Sequence, residues 1–310
     1  MRPSGFGWPF VWRDIPWREP AAPVYHESPQ LDFIGIGHLE PRCNCAHVSR
    51  SRGPVSSDRG HRPGDYFSKQ AAEYALYRPH YPPGLFAYYA SLVTIRDLAW
   101  DCATGSGQAA VPLTDYFNGV VATDLSESQI RSAARNPHVQ YAVASSGATC
   151  LADRCADLVT VAQALHWFDL DGFYAELDRV LKPGGVFAVS SYDSATIDDP
   201  ALQERYADFE WGTLGDFWPP RRKLVGMALR DFEFPYTELT PSAFTLQAHW
   251  TLAELIGYVR SWSATASFIA QMGSDPTPDL ERALRPAWGD PGRRRLVSWP
   301  FVLRVGRKAR

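Results

Sequence analysis

Short apolar runs alternate with amphipathic stretches through the middle of the chain. The apolar runs predict strands at about 98–102, 119–123, 139–143, 157–162 and 186–192. The intervening stretches predict helices at 108–117, 127–135 and 170–180. Strands and helices that alternate at this interval form a parallel sheet with right-handed crossovers. We therefore predict a doubly wound α/β domain.

This alternation ends after Tyr192. Residues from about 196 to 232 predict a helical insertion. Residues 242–250 and 296–305 have the composition of two late strands, with a helix at 252–262 in the link between them. We expect these strands to form an antiparallel C-terminal hairpin, which completes a mostly parallel, seven-stranded sheet.

Residues 1–62 differ from the rest of the chain. They are rich in Pro, Arg, Gly, Ser and His and show no lasting period, so we predict a flexible extension before a folded domain at 63–310. His38, Cys43, Cys45 and His47 fall in this extension, but their spacing matches no standard zinc pattern. No metal site is predicted.

Composition limits the possible partners and compartments. A net charge of −3 on 310 residues gives no reason to expect a nucleic-acid partner. The five cysteines lack a disulfide framework and indicate reduced thiols. No apolar run approaches the ~20 residues of a membrane span, and the N-terminus lacks the apolar segment of a signal peptide. We expect a cytoplasmic protein without a membrane contact.

A loop of small residues follows the first predicted strand, from Asp101 to Gln108. Its glycines permit positive φ and close approach of a ligand, and the following helix offers free N–H groups. The second predicted strand ends in Asp124, where an acid can accept hydrogen bonds from two ribose hydroxyls. The two features together predict a cofactor that contains a nucleoside.

Two kinds of cofactor fit the glycine loop. Residues 105–110 can be written G-x-G-x-x-A, which fits a dinucleotide fingerprint. However, the carboxylate of Asp101 would repel a pyrophosphate, whereas it suits the ammonium and sulfonium of S-adenosylmethionine. None of the four lysines completes a Tyr-x-x-x-Lys motif, which excludes one large class of nicotinamide enzymes. The predicted late antiparallel strands also differ from a simple dinucleotide domain.

Several short segments of the chain, in their order and spacing, resemble those of a known family. The segments are 77–82 (Tyr-Arg-Pro-His-Tyr-Pro), 101–108, 122–126 (Ala-Thr-Asp-Leu-Ser), 157–169, 181–185 (Leu-Lys-Pro-Gly-Gly), 257–263, 299–300 and 304–307. In this order the chain, from about 66 to 307, resembles the class I S-adenosylmethionine-dependent methyltransferases. Within that family it looks like the small-molecule branch that includes trans-aconitate methyltransferase-like proteins.

The resemblance implies a set of cofactor-binding residues. The loop would contribute Asp101, Ala103, Gly105, Gly107 and Gln108, with Asp101, Gly105 and Gly107 around the methionine part. Asp124 would hold the ribose, Leu125 would lie against adenine, and Gln163 would lie along the cofactor toward its methyl group. Tyr66 and Arg78 would belong to an N-terminal lid.

The sequence departs from the family pattern at two of these positions. Ala103 stands where the family has its first loop glycine, so a slightly tighter loop is expected. Ser146 stands where an acid often contacts the adenine side, which leaves backbone N–H groups to serve there.

Candidate residues for the chemistry follow the fourth strand. His166 is the candidate proton acceptor, although His166 and Trp167 could instead shape the pocket wall or cap the next helix. Arg78, Arg221 and Arg222 could pair with a carboxylate substrate, although the latter two could equally form a solvated helix face. Trp262, like Trp218 and Trp250, is a candidate for an apolar pocket or for the core.

The sequence therefore predicts methyl transfer from S-adenosylmethionine to a small organic molecule, at a carboxylate or hydroxyl oxygen. A catalytically silent module that acts through protein partners, with residues 1–62 as a contact, is an alternative. A nicotinamide oxidoreductase is a third hypothesis.

Overall fold

The computed structural model describes residues 77–220, 229 and 232–310. The predicted extension over 1–62 lies outside these residues. The strands of the described part, in chain order, are β1 (Leu98–Cys102), β2 (Gly119–Asp124), β3 (Val139–Val143), β4 (Ala156–Ala162), β5 (Leu181–Tyr192), β6 (Thr196–Ile197), β7 (Thr237–Leu239), β8 (Leu246–Trp250), β9 (Arg295–Trp299) and β10 (Phe301–Arg307).

Seven of these strands form the main sheet, in the spatial order β3-β2-β1-β4-β5-β10-β7. The first five are parallel neighbours, and β10 is antiparallel to both β5 and β7. Strands β1 and β4 are buried along almost their whole length, as their continuous apolar sequences require. The prediction of a mostly parallel seven-stranded sheet with an antiparallel end is confirmed.

The strands at that antiparallel end differ in detail from the prediction. The expected strand at 242–250 is β8, which joins β9 and β6 in a separate three-stranded sheet. The expected single strand at 296–305 is two strands, because Pro300 lacks the N–H that a continuous ladder needs. Strand β7 pairs with β10 instead, and its three residues are too few to give a sequence pattern.

Side chains cap the N-termini of some of the described helices. Ser126 accepts a hydrogen bond from the Gln129 backbone N–H, and Thr251 with Glu254 forms a capping box. The described helices are α1 (Pro83–Ser91), α2 (Ala110–Leu113), α3 (Glu127–Ser132), α4 (Leu170–Val180), α5 (Pro200–Ala207), α6 (Leu252–Arg260), α7 (Ser263–Met272) and α8 (Thr277–Trp288). Helices α2 and α3 are shorter than the predicted 108–117 and 127–135.

The predicted insertion at 196–232 is helical in most of its described part. Helix α5 continues into a π-helical turn at Asp208–Thr213 and a 3₁₀ turn at Gly215–Phe217. No helix among the described residues has the length and apolar character needed to cross a membrane.

Three apolar clusters hold these elements together. Two of them cover the faces of the main sheet, one around Trp100 and Phe173 and the other around Leu113 and Val120. The third joins the insertion, helices α6 and α8, and the small sheet, and it is rich in aromatic side chains: Tyr206, Tyr258, Trp262, Trp288 and Trp299. Because this third cluster flanks the carboxyl end of β5, it shapes one wall of the site described next.

Candidate functional site

A cleft of about 330 Å³ opens where the parallel strands end. Its lining follows directly after β1, β2, β3 and β4, which is the edge of an open α/β sheet where ligands bind. The lining residues are Ala103, Gly105, Asp124, Leu125, Ser126, Gln129, Ala144, Ser145, Ser146, Gly147, Ala162, Gln163, Ala164, Trp167, Phe168, Asp169 and Gly172. We call this space the strand-end cleft.

Asp124 connects the two loops at the centre of the cleft. Its Oδ2 accepts the Gly105 backbone N–H at 2.9 Å, and its Oδ1 accepts the Ser126 N–H at 2.8 Å. Burial raises the pKa of this carboxyl, and the backbone hydrogen bonds oppose the rise. Leu125 stands beside it with 64% of its surface exposed. A carboxylate and an exposed apolar side chain therefore lie next to each other in the cleft.

The loop after β1 is bent into the left-handed region of φ. Ala103 has φ +57° and Gly105 has φ +55°. Glycine adopts this conformation without steric cost, whereas an L-residue with a Cβ pays about 1–2 kcal/mol. Ala103, which replaces the first loop glycine of the resembling family, is thus held in a strained conformation.

We expect Ala103→Gly to raise the free energy of unfolding by about 1 kcal/mol, because relief of the left-handed strain outweighs the added flexibility of the unfolded chain. Urea unfolding of the two proteins measures the difference. The control is Ala110→Gly in helix α2, where the same substitution is made at a residue without positive φ. This variant is expected to lower the free energy of unfolding by a similar amount. A loss of stability in Ala103→Gly would contradict the strain.

Asp101, which is predicted to lie around the methionine part of the cofactor, is not among the residues that line the strand-end cleft. Its side chain is buried, and its two oxygens accept hydrogen bonds from Thr104 Oγ1 at 2.6 Å and Thr160 Oγ1 at 2.8 Å. Burial raises the pKa of Asp101 to about 6, the two threonine hydrogen bonds oppose the rise, and the charge of Asp124 adds to it. The carboxyl thus joins the loop to β4.

This raised pKa predicts a pH-dependent stability. Because the folded protein holds the proton more tightly than the unfolded chain, the contribution of Asp101 is fully present below pH 4 and is lost as the pH rises through 6. The loss amounts to about 3 kcal/mol. Asp101→Asn cannot titrate, so unfolding by urea from pH 4 to 7 should show the wild type losing this stability relative to the variant. If the free energy of unfolding changed with pH in the same way in both proteins, Asp101 would not be the group responsible.

Two further loop residues also lie outside the cleft lining. Gly107 is buried with φ +85°, and a Cβ there would collide with the Tyr141 hydroxyl. Gln108 Nε2 is buried and has no hydrogen-bond partner among the described residues. Gly107 thus permits the close approach of β3, and the ligand contacts expected of Gly107 and Gln108 stay predictions.

The opposite wall of the cleft is the segment after β3, which includes Ser146. It is fixed from below by Glu176, which accepts the Thr149 N–H at 2.7 Å and the Thr149 hydroxyl at 2.6 Å. Arg179 forms an ion pair with Glu176 at 2.6 Å. Burial alone would raise the pKa of Glu176, but these hydrogen bonds outweigh it and lower the pKa. The wall is thus held by a buried charge pair.

Gln163 closes the inner end of the cleft. It has φ +58°, which directs its side chain across the end of β5. Its Nε2 donates to the Tyr192 carbonyl at 2.9 Å, and its Oε1 accepts the Ser191 hydroxyl at 2.6 Å. The amide is therefore fixed in one orientation between the cleft and the space behind it.

That space is a second, smaller cavity of about 80 Å³. It shares Gln163 and Trp167 with the strand-end cleft. Its lining residues are Arg78, Gln163, His166, Trp167, Tyr192, Asp193, Ser194, Glu210, Trp218, Pro219, Tyr258, Trp262 and Ser263. We call it the aromatic cavity. His166, Trp167 and Trp262, which the sequence singled out, meet there.

Arg78, which is predicted to belong to a lid over the cofactor, lines the aromatic cavity and not the strand-end cleft. Its guanidinium donates to the Ser261 carbonyl at 3.1 Å, lies 3.5 Å from the Tyr192 hydroxyl, and sits 5.4 Å from the centre of the Tyr258 ring. These contacts fix a positive charge at the cavity wall. Tyr66, Arg221 and Arg222 lie outside the described residues.

The sequence analysis missed several cavity residues, among them Tyr192, Glu210 and Tyr258. Glu210 could have been found from the sequence. It follows Leu202 and Tyr206 at a spacing of four residues, so it falls on the apolar face of a helix, where a carboxylate is unexpected. The tyrosines gave none, since buried tyrosine is common in cores. Trp250 packs against Trp299 in the third cluster, outside the cavity lining.

The strand-end cleft fits S-adenosylmethionine better than a dinucleotide. Its volume lies within the range of small-ligand sites. Asp124 and Asp169 both line it, and two carboxylates would repel a pyrophosphate but suit a ligand with positive charges. Asp124 and Leu125 offer the hydroxyl-accepting and apolar contacts that a nucleoside requires.

Comparisons with known proteins agree with this fit. Residues 100–189 match the family model described as a methyltransferase domain. A protein of Dictyostelium discoideum named as a methyltransferase is 33% identical over 230 residues, which cover 72% of this chain and 86% of that protein. A Saccharomyces cerevisiae protein named as an S-adenosylmethionine-dependent methyltransferase is 23% identical and covers 67% of this chain and 83% of that protein.

A solved structure described as a type II methyltransferase, from Anaeromyxobacter dehalogenans, is similar in fold as well as sequence. It is 40% identical with a TM-score of 0.69, and the match covers 75% of this chain and 99% of that one. These relatives confirm an enzyme that uses S-adenosylmethionine, so the silent-module and nicotinamide hypotheses are set aside. The chain belongs to the class I S-adenosylmethionine-dependent methyltransferases.

Proposed function

We propose that this methyltransferase acts on an oxygen of a small organic molecule held in the aromatic cavity. The observation that carries the proposal is the shared wall: Gln163 and Trp167 line both the strand-end cleft and the aromatic cavity. When bound, S-adenosylmethionine supplies an electrophilic methyl group on a sulfonium. A molecule in the aromatic cavity would meet that group across Gln163.

The residues of the wall do the positioning that such a displacement needs. Gln163 is fixed by Ser191 and Tyr192, so it can orient both partners without moving. Trp167 and the other aromatic side chains exclude water from the contact. Correct placement of two reactants is worth about 7–11 kcal/mol of the barrier, which makes it the main task of the protein here.

Two features support a small molecule that reacts at oxygen. The cavity of about 80 Å³ suits a compact molecule. The guanidinium of Arg78 matches a carboxylate, which itself needs no base, and His166 could take the proton of a hydroxyl. The resemblance to trans-aconitate methyltransferase-like proteins supports an organic acid.

The direct test is methylation of a metabolite pool with labelled S-adenosylmethionine, followed by mass identification of the products. A labelled small-molecule methyl ester or ether is the expected result. Label that enters only protein or nucleic acid, with S-adenosylhomocysteine bound normally in calorimetry, would contradict the proposed class of substrate.

For a hydroxyl acceptor, whose proton His166 would take, we expect His166→Ala to lower kcat about 100-fold, the lower end of the range for general-base catalysis, while the affinity for S-adenosylhomocysteine stays the same. His138→Ala is the matched control, because His138 is exposed and does not line the cavity. Initial rates and calorimetry of both variants measure the two effects. An unchanged kcat would remove His166 from the chemistry.

A further inference from the structure

Asp169 brings to the strand-end cleft a carboxylate that forms no hydrogen bond or ion pair with another described residue. It is exposed and occupies the N-cap position of α4. An aspartate side chain at that position usually accepts a backbone N–H of the first turn, but here it makes no capping hydrogen bond. Only the backbone carbonyl of Asp169 begins the helix, by accepting the Phe173 N–H at 3.0 Å. The side chain can therefore accept hydrogen bonds from a ligand in the cleft.

The close packing of α4 against the loop after β3 places Asp169 at one wall of the cleft. A Cβ on Gly147, in that loop, would lie 3.2 Å from the backbone carbonyl carbon of Gly172. A Cβ on Gly172 would in turn lie 3.0 Å from Asp169 Oδ2. Both glycines line the cleft beside Asp169. The carboxylate thus stands at the wall that α4 and the loop after β3 form together.

The position of Asp124 indicates which part of the cofactor faces this wall. Asp124 ends β2, so a ribose bound there has the loop after β3 on one side and the loops after β1 and β4 on the other. The base and the amino-acid part leave the ribose in opposite directions. The transfer proposed above brings the methyl group, and with it the amino-acid part, toward Gln163 after β4. The base then lies toward the loop after β3 and Asp169. This orientation rests on the proposed function.

An adenine base in that position has an amino group that requires an acceptor. Its N–H groups are costly to remove from water unless they find a hydrogen bond in the protein. Of the two carboxylates in the cleft lining, that of Asp124 already accepts the N–H groups of Gly105 and Ser126. That of Asp169 accepts none from the described residues. Asp169 is therefore the carboxylate that can serve the base.

We propose that Asp169 determines the specificity of the cofactor site for adenine, by accepting a hydrogen bond from the 6-amino group of the base. The charge of the acceptor strengthens this hydrogen bond. A base with a carbonyl oxygen at the same position turns its lone pairs toward the carboxylate, which disfavours its binding. Leu125 adds an apolar contact, which every base satisfies equally, so the discrimination comes from Asp169.

The test is isothermal titration calorimetry with S-adenosylhomocysteine and with its analogue that lacks the 6-amino group. The wild type is expected to bind S-adenosylhomocysteine about 10-fold more tightly, the lower end of the range for a hydrogen bond to a charged group. Asp169→Ala should bind both ligands with the same affinity, because the acceptor is absent. Asp171→Ala is the matched control, because it removes the same charge from the first turn of α4 at an exposed position outside the cleft lining. It should keep the wild-type ratio.

Asp169→Asn is a second variant, which keeps a side chain able to cap α4 but loses the charge, and it should reduce the ratio without abolishing it. Equal affinities of the wild type for the two ligands, or the full ratio in Asp169→Ala, would overturn the proposal. An equal loss of affinity for both ligands in Asp169→Ala would also overturn it, since the carboxylate would then act on the ammonium group. No substrate enters these measurements, so a failure of the proposed small-molecule reaction would show only in the methylation assay.

Discussion

Asp124→Ala is expected to weaken the binding of S-adenosylhomocysteine about 100- to 10,000-fold. The carboxylate lies in the strand-end cleft, where its oxygens are held by the N–H groups of Gly105 and Ser126. Two ribose hydroxyls that donate to it would contribute about 1.5–3 kcal/mol each, and each 1.4 kcal/mol is a factor of ten in affinity. Isothermal titration calorimetry measures the change.

The control for this prediction is Asp115→Ala, because Asp115 is exposed and lies after α2, away from the cleft lining. It should bind as the wild type does. Thermal unfolding of Asp124→Ala shows whether the loops remain folded without their shared carboxylate. A folded Asp124→Ala protein with wild-type affinity would mean that Asp124 only joins the two loops.

Several residues that line the strand-end cleft could be predicted from the sequence, because they are adjacent to the ends of strands. Asp124 is the last residue of a parallel strand, and Ala103 and Gln163 directly follow two others; parallel strands bring those ends to one edge of a sheet. What the sequence could not give was the direction of each side chain. Asp101 also lies near the end of β1, but its side chain points into the interior, toward Thr160.

The aromatic cavity was less predictable because its lining comes from segments far apart in the chain. Arg78, Glu210 and Tyr258 meet only through tertiary packing, and no spacing rule connects them. The small sheet that helps to form this region was also assigned to the wrong place, since β8 and β9 have the same alternating pattern as an edge of the main sheet. Pattern alone does not distinguish two sheets.

Glycine can be required at a loop position for two reasons: a positive φ, or a lack of space for a Cβ. The two glycines of the loop after β1 differ in the second reason. Gly105 and Gly107 both have positive φ, but a Cβ at Gly105 would have Gln129 Oε1 as its nearest neighbour at 3.9 Å, whereas one at Gly107 would overlap the Tyr141 hydroxyl. That hydroxyl donates to the Ala134 carbonyl at 2.8 Å. Gly105→Ala should therefore show the backbone effect alone, and Gly107→Ala the backbone effect and a collision.

Gly107→Ala is expected to lower the free energy of unfolding by about 3–4 kcal/mol, against about 1–2 kcal/mol for Gly105→Ala. The larger loss follows because Tyr141 must move and give up its hydrogen bond to Ala134. Tyr141→Phe removes the colliding hydroxyl, so the double variant Gly107→Ala/Tyr141→Phe should be more stable than the sum of the single losses predicts. Urea unfolding of the four proteins measures this coupling. Strict additivity would show that the loop, and not its contact with β3, sets the requirement for glycine at 107.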